Sequence, residues 1–233
     1  LALQSTPVAP PAHDAWPDDR PISHLFQNLI KDTRALPSIA SLEILLAGST
    51  GAGLARAGFD HKVADWAGRA RSAPYAKVGD KMGLGAVQGG AALATYAVGK
   101  IAHRPEAVHV GGDLIRAQVL TGVLTQSLKY GVGRTRPNGG RRSFPSGHSS
   151  ASFASAAVVG GHFGWKGAVP AYAVASFIGW TRVRDHVHYT SDVIFGATLG
   201  VLVGHTVTAG HRTRTWTVVP AKTPGGMAVF VVR

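Results

Sequence analysis

Residues 145–163 read PSGHSSASFASAAVVGGHF, and this stretch decides the fold class. Its opening proline, serine and glycine favour a turn. The small and apolar residues that follow, mostly alanine, serine and valine, have helical character as far as Phe163. Because alanine and glycine leave little side chain between neighbouring backbones, the stretch predicts a helix that begins at a turn and packs closely against other helices.

Further helices are predicted on both sides, over residues 23–35, 39–55, 82–102, 106–130, 170–183 and 190–209, with one more beginning at Asp60. The end of the chain differs, because residues 215–219 and 227–232 favour β-structure and flank a segment with proline and glycine. Residues 1–22 hold five of the 13 prolines. We therefore predict an all-α, single-domain helical bundle of about six or more helices. An extended N-terminal arm would occupy residues 1–22, the helical domain residues 23–210, and a tail with a short β-hairpin residues 211–233.

The composition limits the classes of function. Apolar residues make up 45% of the 233 positions and charged residues 15%, which excludes a disordered chain. There is no cysteine, so disulfides and thiolate metal sites are excluded. The formal net charge of +12 favours anionic partners such as phosphate esters or acidic lipid surfaces. Nucleic acid is not expected, because aromatic residues are not interleaved with the basic ones.

No segment offers the roughly 20 uninterrupted apolar residues of a membrane-spanning helix. Residues 83–102 and 158–180 are interrupted by polar side chains, and residues 193–209 are short and contain His205. This pattern favours buried core helices over a bundle with many spans.

The turn at residues 145–148 is a candidate anion site. Backbone N–H groups at a helix start point outward together with the positive end of the helix dipole. Gly147 allows a ligand to approach the backbone closely, and Ser146 adds a hydroxyl donor. The alternative is that Ser146 only caps the helix and His148 lies on the surface.

Lys129 lies near the end of a predicted helix, and Arg136 follows in a loop rich in glycine and arginine. An ammonium group and a guanidinium fork together suit a tetrahedral dianion. The alternative for Lys129 is stabilisation of the helix C-terminus, and for Arg136 a solvated loop.

A third segment, residues 181–192, contains Arg182, His188 and Asp192. A helix beginning near His188 would place Asp192 one turn further on the same face. A carboxylate that fixes the Nδ1–H tautomer leaves Nε2 free to act as a nucleophile. Metal binding by Asp185, His186, His188 and Asp192 is the competing chemistry, although a metal site would not need three cations converging on it.

Together the three segments resemble the signature of the phosphatidic-acid phosphatase type 2 superfamily, which includes class A acid phosphatases and vanadium-dependent haloperoxidases. Its pattern is Lys, six residues, Arg-Pro; then Pro-Ser-Gly-His; then Ser-Arg, five residues, His, three residues, Asp. The sequence matches every position except one, where Thr181 stands for the first serine of the third block. The resemblance spans about 64 residues of the C-terminal half.

The resemblance implies a metal-independent phosphatase without cofactors that acts on phosphomonoesters or pyrophosphates, with lipid phosphates as expected substrates. His188 would attack phosphorus and form a phosphohistidine, Asp192 would orient it, and His148 would protonate the leaving oxygen. The phosphoryl oxygens would be held by Lys129, Arg136, Ser146, Gly147 and Arg182.

Two other functions remain open at this stage. Vanadate bound at the same residues would give a haloperoxidase, although the short chain argues against it. A non-enzymatic, basic anion-binding module would account for the net charge alone. Since the chain starts at Leu1, we expect a processed N-terminus, a periplasmic or other extracytoplasmic location and contact with an anionic membrane surface.

Overall fold

The computed structural model describes residues 22–69, 74–209, 217–223 and 226–232. These residues form eight helices and one pair of strands, which confirms the all-α prediction. The predicted N-terminal arm lies outside the described residues except for Ile22, the first residue of α1. The division into arm, domain and tail stays a prediction. The elements are α1 Ile22–Ala35, α2 Ile39–Gly58, α3 Asp60–Arg69, α4 Pro74–Met82, α5 Gly85–Ile101, α6 Pro105–Val132, α7 Gly147–Arg184, α8 Thr190–Ala209, β1 Thr217–Thr223 and β2 Gly226–Val232.

The helix ends follow local sequence signals in most places. Ser38 caps α2, because its Oγ accepts a hydrogen bond from the Ser41 N–H at 3.2 Å. Gly133 ends α6 in the left-handed conformation that glycine adopts without strain, with φ of 62°. Helix α4 was not predicted. The long apolar helix predicted over residues 82–102 begins at Gly85 as α5, and Met82 is the last residue of α4.

Helix α7 is two arms joined by a reversal at Gly164, whose φ of 63° and ψ of −154° are not helical. The first arm, residues 147–163, matches the predicted helix, and the second arm runs from residue 165 to Arg184. A straight helix of this length would separate its ends by about 55 Å. Instead, His148 at the start and Arg182 near the end both contact Asp80, so both ends of α7 lie at the same end of the bundle.

The core lies around α8, which packs against α2, α6 and both arms of α7. Two glycines of α8 allow this close packing. A Cβ at Gly196 would lie 2.5 Å from the Ser146 carbonyl oxygen, and one at Gly200 would lie 2.3 Å from that of Ser150. The start of α8 is thereby held against the start of α7. The buried apolar cluster consists of Ala92, Val110, Leu114, Ala117, Leu120, Ala154, Val158, Leu202, Val203 and Val207.

Among the described residues, one helix, α8, is by itself long and apolar enough to cross a membrane. Helix α1 from His24 and helix α2 meet the same criterion only when they are taken together, and they are bent by 67° to each other. The sequence analysis judged the apolar segment at residues 193–209 too short, but the helix begins at Thr190 and reaches 20 residues. Most of α8 is buried against its neighbours. Its apolar character is therefore also that of a core helix, as predicted.

The predicted C-terminal hairpin is present. Strands β1 and β2 pair antiparallel, with Thr217 opposite Val232 and Thr223 opposite Gly226. The first strand begins two residues later than predicted and continues through Pro220.

Candidate active site

The three sequence motifs meet at one end of the bundle and are joined there by backbone hydrogen bonds. The Ser146 N–H donates to the Asp192 carbonyl at 2.9 Å, which joins the start of α7 to α8. The His188 N–H donates to the Arg182 carbonyl at 3.2 Å, which holds the loop after α7 in a tight turn. The Ser143 N–H donates to the Arg134 carbonyl at 2.7 Å and closes the loop after α6. Backbone hydrogen bonds therefore fix the segments that carry the predicted site residues relative to one another.

His188 is buried, with 4% of its surface exposed, and its Nδ1 lies 3.7 Å from Asp192 Oδ2. That distance is longer than the predicted hydrogen bond. Ser143 lies between the two groups: its Oγ is 3.5 Å from His188 Nδ1 and donates a short hydrogen bond to Asp192 Oδ2. Helix α8 begins at Thr190, in agreement with the predicted range 190–209, and not at His188; the Tyr189 N–H, just before the first turn, donates to the Asp192 carboxylate at 2.9 Å. Asp192 still faces His188, but from the start of α8 across a turn.

The pKa of His188 is lowered to about 4: burial is the largest cause, the positive charges of Lys129 and Arg136 act in the same direction, and Asp192 opposes them. The imidazole is therefore neutral at pH 7. Burial alone would raise the pKa of Asp192, but its interactions with His188 and Ser143 outweigh burial and lower it. A neutral imidazole beside a fixed carboxylate is the state that a histidine nucleophile requires.

A residue that the sequence analysis gave no role, Arg134, holds the other side of Asp192. Its NH1 lies 2.7 Å from Asp192 Oδ1 and 2.7 Å from Ser191 Oγ, and its NH2 lies 2.9 Å from Asp60 Oδ2. The Arg134 guanidinium also stacks over the Tyr189 ring at 4.1 Å. The guanidinium fork thus fixes the carboxylate that faces the predicted nucleophile.

Asp60 connects this network to the N-terminal half of the chain. It is 1% exposed, and its carboxylate accepts hydrogen bonds from the Ser191 N–H at 2.9 Å, from the Ser191 hydroxyl and from Arg134. The sequence analysis treated Asp60 only as a helix start. Arg134 could have been found from its place in the basic loop beside Arg136, whereas Asp60 gave no signal.

Lys129 is also buried, and its Nζ donates to the Arg142 carbonyl at 2.8 Å. The pKa of Lys129 is lowered to about 8: burial is the largest cause, the charge of Arg136 acts in the same direction, and Asp192 opposes both. Arg136 is half-buried, and its Nε donates to the Arg141 carbonyl at 3.1 Å. Both cations lower the pKa of His188, so each disfavours the protonated form of the imidazole.

Ser146 is fully buried and caps α7, since its Oγ accepts hydrogen bonds from the Ser149 N–H at 3.4 Å and the Ser149 hydroxyl at 3.0 Å. The capping interpretation of Ser146, left open by the sequence, is therefore part of the structure. Gly147 follows it beside Lys129, whose Cε would be 3.7 Å from a Cβ at this position. As a first-turn residue, Gly147 directs its N–H away from the helix.

His148 lies in a second group with Arg182 and an unpredicted partner, Asp80. The Asp80 carboxylate lies 3.1 Å from His148 Nε2 and 2.5 Å from Arg182 NH1. The backbone carbonyl of Asp80 also lies 3.0 Å from His148 Nε2. Burial lowers the pKa of His148, Arg182 lowers it further, and Asp80 opposes both.

The metal interpretation of the third segment fits the geometry poorly. The Asp185 carboxylate is bound to Arg182 NH2 at 2.8 Å. Throughout the described ranges, no group of three or more histidine, aspartate or glutamate side chains is arranged to hold a metal ion.

A family model described as the PAP2 superfamily matches residues 138–216, which include His148, Arg182, His188 and Asp192. Residues 138–216 of the chain belong to the PAP2 superfamily. The matched PAP2 segment begins two residues after Arg136, so the cations before it lie outside the match.

Two curated proteins show what the PAP2 segment is similar to. Lipid A 1-phosphatase of Porphyromonas gingivalis is 40% identical over 89 residues, covering 36% of this chain and 20% of that protein. Lipid phosphate phosphatase 1 of Arabidopsis thaliana is 30% identical over 133 residues, covering 39% of this chain and 41% of that protein. The chain therefore spans less than half the length of each of these two relatives.

Among solved structures, the crystal structure of Aquifex aeolicus LpxE superposes with a TM-score of 0.53 at 22% sequence identity. The superposition covers 65% of this chain and 96% of that one. At this level of identity, the likeness shows a shared fold.

Proposed function

We propose that the protein is a metal-independent phosphatase that hydrolyses phosphomonoesters or pyrophosphates on lipids through a phosphohistidine at His188. The single observation that carries the proposal is the state of His188: buried, neutral at pH 7, faced by Asp192 and subject to the positive charges of Lys129 and Arg136. An imidazole kept neutral beside two cations suits attack on an anionic phosphoryl group.

The first chemical step follows from these positions. His188 Nε2 forms a bond to phosphorus while the bond to the leaving oxygen breaks, and His148 gives that oxygen a proton. Phosphoryl transfer requires mainly positioning and neutralisation of charge on the phosphoryl oxygens. Lys129, Arg136, Arg182 and the Gly147 N–H would perform that neutralisation, which bound metal ions perform in kinases.

The second step releases phosphate. A water gives a proton to His148 and its oxygen bonds to phosphorus, while the bond to His188 breaks and the neutral imidazole returns. Each histidine therefore begins and ends a turnover in the same protonation state.

A lipid substrate is supported by the lipid phosphatase activities for which the two relatives are named and by the surface of the bundle. Large apolar side chains are exposed on several helices, and they would suit contact with a membrane. The most exposed include Ile39, Leu54, Leu93, Val98, Ile101, Trp165 and Val169. The net charge of +12 suits an anionic lipid surface. A periplasmic location stays a prediction.

The test is a panel of phosphatidate, an isoprenyl pyrophosphate, lipid A and a small aryl phosphate, each assayed with a chelator present. We expect hydrolysis of at least one lipid substrate, undiminished by the chelator. His188→Ala should abolish it, whereas His24→Ala, at an exposed position, should not. When a substrate labelled on its phosphoryl group is turned over and the reaction is quenched with alkali, labelled phosphate should remain bound to the parent chain and not to the His188→Ala variant.

Three outcomes would overturn the proposal. Full activity of His188→Ala would remove the nucleophile, and loss of activity with the chelator would restore the metal interpretation of Asp185 and His186. Halide oxidation with vanadate and peroxide, in place of simple inhibition by vanadate, would favour the haloperoxidase chemistry.

A further inference from the structure

Asp80 lies outside the three motifs and outside the PAP2 segment, yet it contacts two of the predicted site residues. Its carboxylate binds Arg182 and His148, and its backbone carbonyl binds His148 as well. The carboxylate is 49% exposed, whereas the Arg182 side chain is 5% exposed. A half-exposed acid held by two partners from another helix is positioned by those contacts and not by burial.

The backbone contact identifies which ring nitrogen of His148 carries a hydrogen. A carbonyl oxygen can only accept, so Nε2, at 3.0 Å from the Asp80 carbonyl, must be the donor. In the neutral ring Nδ1 is then the bare nitrogen. The proton that the ring gains and loses is the one on Nδ1.

Packing agrees with this assignment. A Cβ at Gly83 would lie 2.6 Å from His148 Cδ2, so the Cδ2–Nε2 edge of the ring lies against the end of α4. Nδ1 lies on the other edge of the ring. The His148 side chain is 21% exposed, so the ring is not closed off from a substrate.

We propose that Asp80 is the positioning residue of the general acid: it holds His148 through Nε2 so that Nδ1 delivers the proton to the leaving oxygen. This inference rests on the proposed phosphatase function. The site then contains two Asp-His pairs, with Asp192 serving the nucleophile and Asp80 serving the acid. As the bond from phosphorus to oxygen breaks, the Nδ1 proton moves to that oxygen; in the second step water returns a proton to Nδ1.

Charge supports the same role. Arg182 lowers the pKa of His148 and Asp80 raises it. Asp80 therefore keeps a larger fraction of the imidazole protonated than burial and Arg182 alone would allow. Removing the negative charge should reduce the protonated fraction as well as the orientation of the ring.

The experiment compares substrates that differ in their need for a proton. An alkyl phosphate has a basic leaving oxygen that requires protonation, whereas nitrophenolate leaves without it. Asp80→Asn should lower kcat on the alkyl phosphate by about 10- to 100-fold, a part of the 10²- to 10⁴-fold that general acid catalysis contributes. On nitrophenyl phosphate the loss should be below about threefold. Asp80→Glu should recover part of the alkyl phosphate activity.

The matched control is Asp185→Asn, which removes the other carboxylate on Arg182 without touching His148. It should change both substrates by the same factor. Equal losses on the two substrates in Asp80→Asn would overturn the inference, since a structural role has no dependence on the leaving group. A lower KM with unchanged kcat would also overturn it and would make Asp80 a carboxylate that competes with substrate for Arg182.

The proposed function fails separately. If the parent chain hydrolyses no substrate of the panel above, lipids included, or retains no label on His188, the phosphatase proposal is wrong whatever Asp80 does. If the parent chain passes both tests and Asp80→Asn shows no preference, only the role of Asp80 is wrong.

Discussion

Replacing Asp60 by alanine should destabilise the protein, because it removes a buried ion pair whose acid lies far from the motifs in sequence. The carboxylate of Asp60 has no exposed surface, and Arg134, its ion-pair partner at 2.9 Å, has a side chain 14% exposed. Asp60→Ala leaves that guanidinium with one carboxylate, Asp192, and leaves the Ser191 N–H without its acceptor.

The magnitude follows from these contacts. Removing one partner of a buried ion pair costs about 3–5 kcal/mol, because the other charge stays buried without compensation. Since Arg134 retains Asp192 and is partly exposed, we expect the lower end, about 3 kcal/mol. For a chain of this size each kcal/mol lowers Tm by roughly 2–4 °C, so Tm should fall by about 6–12 °C.

The measurement is unfolding followed by circular dichroism for Asp60→Ala, Arg134→Ala and the double variant. The double variant should cost less than the sum of the single variants by at least about 1 kcal/mol, because it no longer leaves an unpaired charge at either end of this pair. Asp65→Ala, at an exposed acid on the same helix, should leave Tm unchanged. Additive costs, or a Tm for Asp60→Ala within 2 °C of the parent chain (about half a kcal/mol), would refute the reasoning.

Three further predictions concern pH and packing. The rate kcat/KM should be bell-shaped: it should fall about tenfold per pH unit below about 4, where His188 becomes protonated, and again above the lowered pKa of His148, where the acid loses its proton. A flat profile across about pH 4–9 would contradict the two-histidine scheme. Inhibition by inorganic phosphate should weaken above about pH 8, because Lys129 loses its charge there. The Lys129→Arg variant stays charged and should show no such pH dependence. If the weakening persists in that variant, another group is responsible for it. Gly200→Val should lower Tm by more than 5 °C (roughly 2 kcal/mol), because its Cβ would overlap the Ser150 carbonyl oxygen at 2.3 Å, and an unchanged Tm would show that α7 and α8 can separate without cost.

The sequence alone was sufficient where the information is local. Helix α7 is readable from its small residues and from Ser146, and the spacing of Arg182, His188 and Asp192 fits one short turn. The predicted start of α8 at residue 190 agrees with the structure, whereas the hydrogen bond from the Tyr189 N–H to the Asp192 carboxylate is a detail of the turn that the spacing does not predict.

The supporting residues could not be predicted because their partners are distant in the chain. Asp80 and Arg182 are 102 positions apart, and Asp60 and Ser191 are 131 positions apart. Neither acid has a motif around it, and each becomes significant only after helix packing sets it beside its partner. A buried aspartate and a solvated one are identical in a single sequence.

The reversal at Gly164 has a consequence for how chains of this architecture can change in length. Both arms of α7 begin or end at the candidate site, so the reversal lies at the distal end of the bundle, about 25 Å away by helix rise. Residues inserted there would lengthen the connection without shifting the register of either arm, and His148 and His188 would keep their relative positions. An insertion of one residue between Lys129 and Arg136, or between His188 and Asp192, has no such freedom. Insertions and deletions are therefore tolerated at the end of the bundle that contains Gly164 and not at the end that contains the candidate site.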